Sequence, residues 1–429
     1  MRSKDTARSS GNFSQQSDRS RRIAALISWR IAIMAFLGGI GGGVVFPILP
    51  ALGQRMGLSA FMIGVILSAN RLTRLAVNPL TGSLTDRYGG RGVIAAGLFI
   101  EGVGTLGYIA ALHFSGPAAW FLAGRIVWGV GSSLLFVGAV AAVLTLSASS
   151  DRARFVARAR SAISLGVPGG LVLGGLVTEF VSADAAFLIA MLLSVAAGFA
   201  ALAGIPRRAP HTTRRMRAEH VRHPQDWIEL LRQRKLAGIW CYAALVAFGV
   251  QGLLLATLVV LVERRGTFIF GLGAEGSAGL LMAILMLAYA GTSLAIGHRL
   301  DLLGRRTILI VPTIFALVAG FALLAFASTL PWVLLALLIT GIGTGAITIP
   351  LLTLLGDLVP AERRGRATAI YQVAADLGGT AGPILGLVLG VRFGFLAIYG
   401  GLAALFLLTL PVAFSLIRAE RGAAVNEVG

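Results

Sequence analysis

Residues 82–91 read Gly82-Ser83-Leu84-Thr85-Asp86-Arg87-Tyr88-Gly89-Gly90-Arg91, and a related stretch follows 215 residues later in a chain of 429. That second stretch reads Gly297-His298-Arg299-Leu300-Asp301-Leu302-Leu303-Gly304-Arg305-Arg306. Both run glycine, three residues, aspartate, two residues, glycine and then basic residues, and each lies between two long apolar segments. An offset of half the chain length indicates a duplicated half, and parallel repeats of this kind build two-lobed membrane proteins.

The composition places the chain in a lipid bilayer. Hydrophobic residues make up 56% of it and charged residues 13%, with a mean hydropathy of +0.85. No soluble domain buries that much apolar surface. The net charge of +19 would suit nucleic acid, but the positions of the charges argue for membrane topology instead. The single cysteine, Cys241, excludes an intramolecular disulfide.

Twelve apolar runs of about 18 to 27 residues are long enough to cross a bilayer. Helix is the expected conformation, because a backbone exposed to lipid must satisfy its own hydrogen bonds. The sequence therefore predicts an all-α membrane protein. The runs lie near 28–50, 60–81, 92–112, 118–145, 161–180, 184–205, 236–262, 276–297, 307–328, 331–355, 367–391 and 394–417.

Arginine and lysine predict the orientation. The termini and alternate loops hold 29 of these residues, whereas the opposite loops hold four, Arg55, Arg264, Arg265 and Arg392. Basic loops remain cytoplasmic, so we expect an inner-membrane protein with both termini and both copies of the repeated loop inside the cell. The first 22 residues contain no apolar core, so we expect no cleavable signal peptide.

Five regions follow from this pattern. We expect a disordered cytoplasmic tail (1–22), an N-terminal six-helix bundle (23–205), a basic cytoplasmic linker (206–235), a C-terminal six-helix bundle (236–417) and a second cytoplasmic tail (418–429). The linker histidines are irregularly spaced with no cysteine nearby, so no metal site is expected.

The repeated loop has two interpretations. Its aspartates can face the positive N-terminal end of a neighbouring helix and pair with arginine, forming a latch that holds one conformation and breaks in another. Alternatively, its charges only fix topology. Gly89 and Gly304 are expected in the left-handed conformation that a reverse turn needs. The latch residues would be Gly82, Asp86, Arg87, Gly89, Arg91, Gly297, Asp301, Gly304, Arg305 and Arg306.

This motif resembles the signature loop of the major facilitator superfamily, which follows the second and eighth spans of those transporters. The number of spans and the repeat extend the resemblance over the whole chain. Gly90 in the first copy and Leu302 in the second depart from the family pattern. The resemblance implies two pseudo-twofold-related six-helix bundles around a central cavity that opens to each side in turn. It also implies a proton gradient as the energy source, with no cofactor.

Two further stretches resemble patterns of that family, one of them a pattern of a subgroup. In the first span, Ile40-Gly41 and then Pro47-Ile48-Leu49-Pro50 is similar to a pattern of twelve-span drug:proton antiporters, although such prolines also kink any helix. In the fourth span, Arg125 opens a stretch similar to the family's Arg-x-x-x-Gly-x-Gly, linked there to proton coupling. An arginine this deep is costly in lipid, so it should face a cavity or an acid rather than snorkel.

Depth in the membrane groups the remaining embedded charges. Asp376 lies at about the depth of Arg71 and Arg74, on spans that face each other in the superfamily fold. We hypothesise that Asp376 pairs with one of them in one conformation and takes up a proton in the other. A static pair that fixes helix packing is the equal alternative. Glu101 either pairs with Arg125 or is protonated and inert.

Two further groups of residues are candidates for the cavity lining and for helix packing. A mixed apolar and weakly polar cavity lining suits amphipathic cargo, although aromatic residues in spans more often serve packing. It would include Trp128, Gln251, Tyr289, Thr340 and Thr344. Stripes of small residues let helices cross closely, and are equally explained by packing alone. They include Pro168, Gly170, Gly174, Gly382 and Pro383.

These observations favour an efflux pump that exchanges protons for small amphipathic compounds and works as a monomer. The alternative is a carrier of a defined metabolite or organic anion, because embedded arginines outnumber embedded acids. A membrane sensor would need a folded soluble domain, for which the tail and linker are too short. An enzyme would need a nucleophile with its base, a metal set or a phosphate loop, and the sequence contains no such motif. We expect no nucleic-acid partner.

Overall fold

The structure, a computed structural model, describes residues 2–146, 152–206, 229–299, 306–360 and 363–426. Its regular structure is helical, with no β-strand among these residues, as a backbone surrounded by lipid requires. The elements are α1 (Arg2–Arg55), α2 (Ala60–His113), α3 (Pro117–Leu146), α4 (Arg152–Phe180), α5 (Ala183–Gly204), α6 (Arg234–Val246), a π-helix (Ala247–Leu254), α7 (Leu255–Arg265), α8 (Ala274–Arg299), a 3₁₀-helix (Arg306–Leu309), α9 (Ile310–Phe326), α10 (Leu330–Leu358), α11 (Arg364–Leu408) and α12 (Leu410–Asn426).

Eleven stretches of the described helices are apolar and long enough to cross a bilayer, and the last of them, Arg364–Arg418, has 55 residues. As one helix it would extend about 80 Å, far beyond a bilayer core. Its backbone breaks at Gly394, with φ 80° and ψ 170°, so it contains two spans. The described residues therefore contain the twelve spans that the sequence predicts.

Helix α2 also contains two spans, Ala60–Thr85 and Arg87–His113. The chain turns between them at Gly89, whose φ is 77° and ψ 154°. That region is open essentially to glycine alone, but it is not the left-handed helical conformation that we predicted. The turn combines positive φ with an extended ψ, because the second span must restart as a helix directly after it. Gly304, the equivalent in the second copy, lies outside the described residues.

The N-terminal tail differs from expectation. Helix α1 begins at Arg2, so residues 2–22 are helical, whereas the sequence predicts disorder. A helix already formed in the first span extends by adding one hydrogen bond per residue, without the cost of a new nucleus. Residues 207–228, most of the predicted linker, lie outside the described residues.

The helices divide at this linker into an N-terminal half (α1–α5) and a C-terminal half (α6–α12). We name their two ends by their loops. The basic end carries the repeated loop at 82–91, and the distal end carries Arg55 and Ala274. One buried apolar cluster, which includes Ile31 and Phe155, is confined to the basic end of the N-terminal half. The other joins the distal end of that half to the C-terminal half. The two halves therefore share a core only towards the distal end.

Glycines allow the closest helix contacts within each half. A Cβ at Gly170 would overlap the carbonyl oxygen of Ile40 in α1, and one at Gly174 would lie 2.5 Å from the carbonyl oxygen of Val44. In the C-terminal half, Gly382 of α11 lies against Gly252 of the π-helix. Backbones can approach this closely only without side chains between them. Three of the predicted packing glycines lie at these contacts, and the two packing prolines, Pro168 and Pro383, are buried.

The turn at Gly89 leads to a stability prediction. Gly89→Ala should lower the free energy of unfolding by about 1–3 kcal/mol, because the Cβ of an alanine makes this positive φ sterically strained. Gly92→Ala is the matched control, since a Cβ there meets open space in an ordinary helix, where alanine is favoured. The measurement is thermal unfolding in detergent micelles. Equal unfolding temperatures for both variants would show that the turn does not require glycine.

Candidate functional site

The first contact between the halves joins α2 to α11, and we call it the first seam. It begins near the distal end, where a Cβ on Gly64 would lie 2.6 Å from the Cα of Ile384. One turn further, the hydroxyl of Ser68 donates a 2.6 Å hydrogen bond to the carbonyl oxygen of Thr380. The residue numbers rise on α2 as they fall on α11, so the two helices run antiparallel in register along the seam.

The second seam joins α4 to α8. A Cβ on Gly175 would lie 3.0 Å from the Cα of Gly279. Close by, the carboxylate of Glu179 accepts hydrogen bonds from the backbone N–H groups of Gly273 (2.8 Å) and Gly276 (3.4 Å). These groups belong to the start of α8, where the helix dipole favours a negative charge. Both seams therefore close at the distal end.

Charged side chains add to the distal closure. Arg55, which ends α1, lies 2.7 Å from the carboxylate of Glu275 at the start of α8 and 3.7 Å from that of Glu263 at the end of α7. Glu275 is only 7% exposed, but the side chain of Arg55 is 55% exposed, so solvent screens this pair and it contributes little beyond the backbone contacts of the seams. The charge pattern of the sequence explains Arg55 only through topology and does not predict its glutamate partners.

Towards the basic end the helices of both seams part. A Cβ on Gly82 of α2 or on Gly365 of α11 would meet no heavy atom of the described residues within 4 Å, and the same holds for Gly291 and Gly297 of α8. The halves therefore touch distally and separate basally. We call the space between α2, α4, α8 and α11 at the basic end the cleft.

The first seam ends at three charged side chains, which we call the apex: Arg71, Arg74 and Asp376. A guanidinium nitrogen of Arg74 lies 3.6 Å from one carboxylate oxygen of Asp376, and the other oxygen is buried with no hydrogen-bond partner in the described part of the chain. Arg71 donates to the backbone oxygen of Gln251 at 3.1 Å and to its side-chain oxygen at 3.5 Å. The structure thus brings the hypothesised partners together across the two halves, with Arg74 making the ion pair.

Arg125 lies behind the apex and is fully buried. Its guanidinium donates to the backbone oxygens of Ile66 (3.3 Å) and Leu67 (3.0 Å) and to the side-chain oxygen of Asn70 (2.8 Å), all on α2. The partners are neutral carbonyl groups, whereas the sequence predicted a cavity or an acid. Arg125 therefore fixes α2 directly before Arg71.

The surroundings of Glu101 contradict one of its two interpretations, the ion pair with Arg125. Glu101 is fully buried, and neither carboxylate oxygen has a hydrogen-bond partner within the residues that the structure describes. Among the described residues no ion pair joins it to Arg125, so the predicted pairing is wrong in this conformation. The reason is that Arg125 turns towards the carbonyl groups of α2, while Glu101 packs against Gly38 and Gly131. The alternative, a protonated and inert side chain, stays a prediction.

The predicted cavity-lining residues fall into different surroundings. Gln251 contacts Arg71 at the apex, and Tyr289 is half-buried on α8. Trp128 is buried against Gly42 of α1. Thr340 and Thr344 are buried, and each bonds the carbonyl oxygen one turn earlier on α10, so their hydroxyl groups are not offered to a ligand.

The repeated loop is described only in part. Arg87 is exposed at the basic end, with its guanidinium 5.3 Å from the ring centre of Tyr88, and Arg91 is half-buried. The side chains of Asp86 and Arg306 lie outside the described part of the chain, as do the whole residues Asp301 and Arg305. The latch therefore stays a prediction. Among the described residues, no group of three or more histidine, cysteine or acidic side chains could hold a metal ion.

Comparison with protein families gives a match over nearly the whole chain. The family model described as Major Facilitator Superfamily matches residues 31–274 and 267–429. The MFS-type transporter MJ1560 of Methanocaldococcus jannaschii, itself described as uncharacterized, is 24% identical over 390 residues, covering 88% of this chain and 92% of that protein. Multidrug resistance protein 2 of Bacillus subtilis is 23% identical over 389 residues, covering 90% and 93%.

Solved structures share the fold. The nucleoside transporter NupG superposes with a TM-score of 0.72 at 16% identity, covering 91% of this chain and 98% of that one. A bacterial homolog of the human lysosomal transporter Spinster, inward-facing and occupied, gives a TM-score of 0.69 at 14% identity, covering 94% and 93%. At such low identity the likeness is one of architecture.

The glycine contact of the first seam leads to a prediction about conformation. Gly64→Ala should force the distal ends of α2 and α11 apart and so bring their basal ends together. A cysteine pair at Gly82 and Gly365, in a background lacking Cys241, should then cross-link several-fold faster than in the parent protein. Gly92→Ala in the same background is the control, because it adds the same methyl group in open space. An unchanged cross-linking rate in Gly64→Ala would contradict the seam as the closing contact.

Proposed function

The chain belongs to the major facilitator superfamily, and from that premise we propose that it is a proton-coupled exporter of small amphipathic compounds. Membership itself establishes a multi-pass membrane transporter rather than an enzyme. The single observation that carries the proposal is the arrangement of the seams, closed distally and parted basally, with the buried Asp376 where the first seam ends. Alternating access needs such a cleft on one side and a closure on the other.

Orientation follows from charge. The excess of arginine and lysine at the basic end supports a cytoplasmic position for that end, both termini and the cleft, in an inner membrane. The cleft in this conformation is then open to the cytoplasm. One chain supplies both walls of both seams, which supports a functional monomer.

Export requires the distal contacts to break. In the opposite conformation the Ser68–Thr380 hydrogen bond, the Arg55–Glu275 ion pair and the contact of Glu179 with α8 would all separate, because each joins one half to the other. The first repeated loop (82–91) lies at the opposite end, and the repeat predicts the same position for the second. We propose that they close the basic end in that second conformation, as the latch hypothesis requires.

Asp376 is the proposed proton site. Its side chain is 4% exposed and its ion pair with Arg74 crosses the seam. When the seam opens, the carboxylate loses its partner and meets water on the distal side, where it can exchange a proton. A proton taken up outside and released inside would then drive the cycle.

Cargo and direction are supported by resemblance. Multidrug resistance protein 2 of Bacillus subtilis aligns along nine-tenths of this chain, and the first-span pattern at Ile40-Gly41 resembles the drug:proton antiporters. The cleft wall next to the apex is apolar: Val373 is 42% exposed and Leu75 is half-buried. An amphipathic compound would place its apolar part there.

The proton site leads to a transport prediction. Asp376→Asn should lower efflux driven by a pH gradient at least about tenfold, because an amide cannot carry the proton. The measurement is proton flux and cargo flux together, in proteoliposomes screened with fluorescent amphipathic compounds. Asp184→Asn is the matched control, since Asp184 pairs with His113 away from the seams. If Asp376→Asn exports with wild-type proton coupling, Asp376 is a static partner of Arg74 and the proposed coupling is wrong.

A further inference from the structure

We propose that the apex is an anion-binding site, and that the compounds exported are organic acids whose anionic headgroup binds Arg71 and Arg74. This inference rests on the exporter function proposed above and assigns the charge class of its cargo.

The charges of the apex do not balance. Arg71 and Arg74 bring two guanidinium groups to the end of the first seam, and Asp376 brings one carboxylate. Arg74 makes the ion pair, while the hydrogen bonds of Arg71 go to the neutral oxygens of Gln251. Arg125, the next cation behind them, is buried and donates its hydrogen bonds to oxygens of α2. It brings no carboxylate that would balance the charge of the apex. The apex therefore carries a net positive charge that a bound anion would neutralise.

The exposure of the three apex side chains indicates the charge of the compound that binds there. The side chain of Arg74 is 24% exposed, whereas that of Asp376 is 4% exposed, and Arg71 is half-buried. A compound entering the cleft meets guanidinium groups before it meets the carboxylate. A cationic compound would have to displace Arg74 to reach Asp376, but an anion needs to displace nothing.

The backbone makes room for the unpaired guanidinium. A Cβ on Gly379 of α11 would overlap the guanidinium of Arg71, so a glycine at this position admits the side chain between the halves. Two of its hydrogen bonds go to the oxygens of Gln251. A guanidinium has five N–H donors, so donors remain for a carboxylate or sulfonate group, which guanidinium binds with two parallel hydrogen bonds.

Charge balance also gives the cycle a direction. With an anion bound and Asp376 ionised, the apex is neutral, and a neutral site can be enclosed between the halves at low cost. After release outside, the apex is positive. An inside-negative membrane potential favours its return to the cytoplasmic side, and a proton on Asp376 adds to the charge that moves inward.

Direct binding tests the site without any gradient. Purified full-length protein in detergent is titrated with p-toluenesulfonate, p-toluenesulfonamide and p-methylbenzylammonium, which share a ring and differ in headgroup charge. Thermal unfolding reports binding. The sulfonate alone should stabilise the wild type, and Arg71→Gln should weaken its affinity roughly 10- to 100-fold, as expected for loss of a charge-assisted hydrogen bond.

Two variants make the result specific. Arg71→Lys keeps the charge and should retain part of the affinity, which separates loss of charge from misfolding. Arg30→Gln removes an arginine that bonds the carbonyl oxygen of Gly204 on α5, away from the cleft, and should bind like the wild type. Stabilisation by the ammonium compound instead of the sulfonate, or equal sulfonate affinity in Arg71→Gln and wild type, overturns the anion site. So does equal stabilisation by sodium chloride, since the cargo would then be no organic acid.

The two proposals fail separately. If Arg71→Gln loses sulfonate binding while Asp376→Asn exports with normal proton coupling, the anion site stands and the coupling proposal falls. If Asp376→Asn stops proton-coupled export while Arg71→Gln binds the sulfonate as tightly as the wild type, the exporter function stands and the assignment of an anionic cargo is wrong.

Discussion

Direct backbone contact at two glycines, Gly64 and Gly279, is the constraint on which the rest of this architecture depends. Each lies where a helix of one half crosses a helix of the other with less than a side chain between them. Within a bilayer no hydrophobic effect drives two apolar helices together, so close packing has to supply the attraction. Because both contacts lie at the distal end, the halves are joined there and diverge towards the basic end.

The two seams match in backbone but differ in chemistry. Gly64 and Gly279 are separated by 215 residues, the same offset as the repeated loop. By that offset Arg74 corresponds to Tyr289, and Asp376 corresponds to Ser161. The second seam therefore has the same closure without the ion pair. The duplication accounts for the matching backbone contacts, and the residues that differ between the copies give the first seam its ion pair between Arg74 and Asp376.

A buried positioning network holds that apex. Arg125 of α3 binds Leu67 and Asn70 of α2, and Asn70 directly precedes Arg71. Fixing α2 in this way sets the angle at which Arg71 enters the other half beside Gly379. An arginine in lipid is expensive, and here its cost is offset by hydrogen bonds to three oxygens rather than by an acid. Its contribution to the site is therefore indirect.

The sequence alone determined the membrane class, the twelve spans, the duplication and the depth match between Asp376 and the two arginines, because hydropathy and repeat offset are properties of local segments. Tertiary structure alone decided that Arg74 rather than Arg71 pairs with Asp376, that Arg125 turns to backbone oxygens, and that Glu101 stands apart from it. It also decided the distal ion pair of Arg55. Those partners lie far apart along the chain, and which side chains meet depends on how the helices cross and rotate, which no periodicity in a single segment encodes.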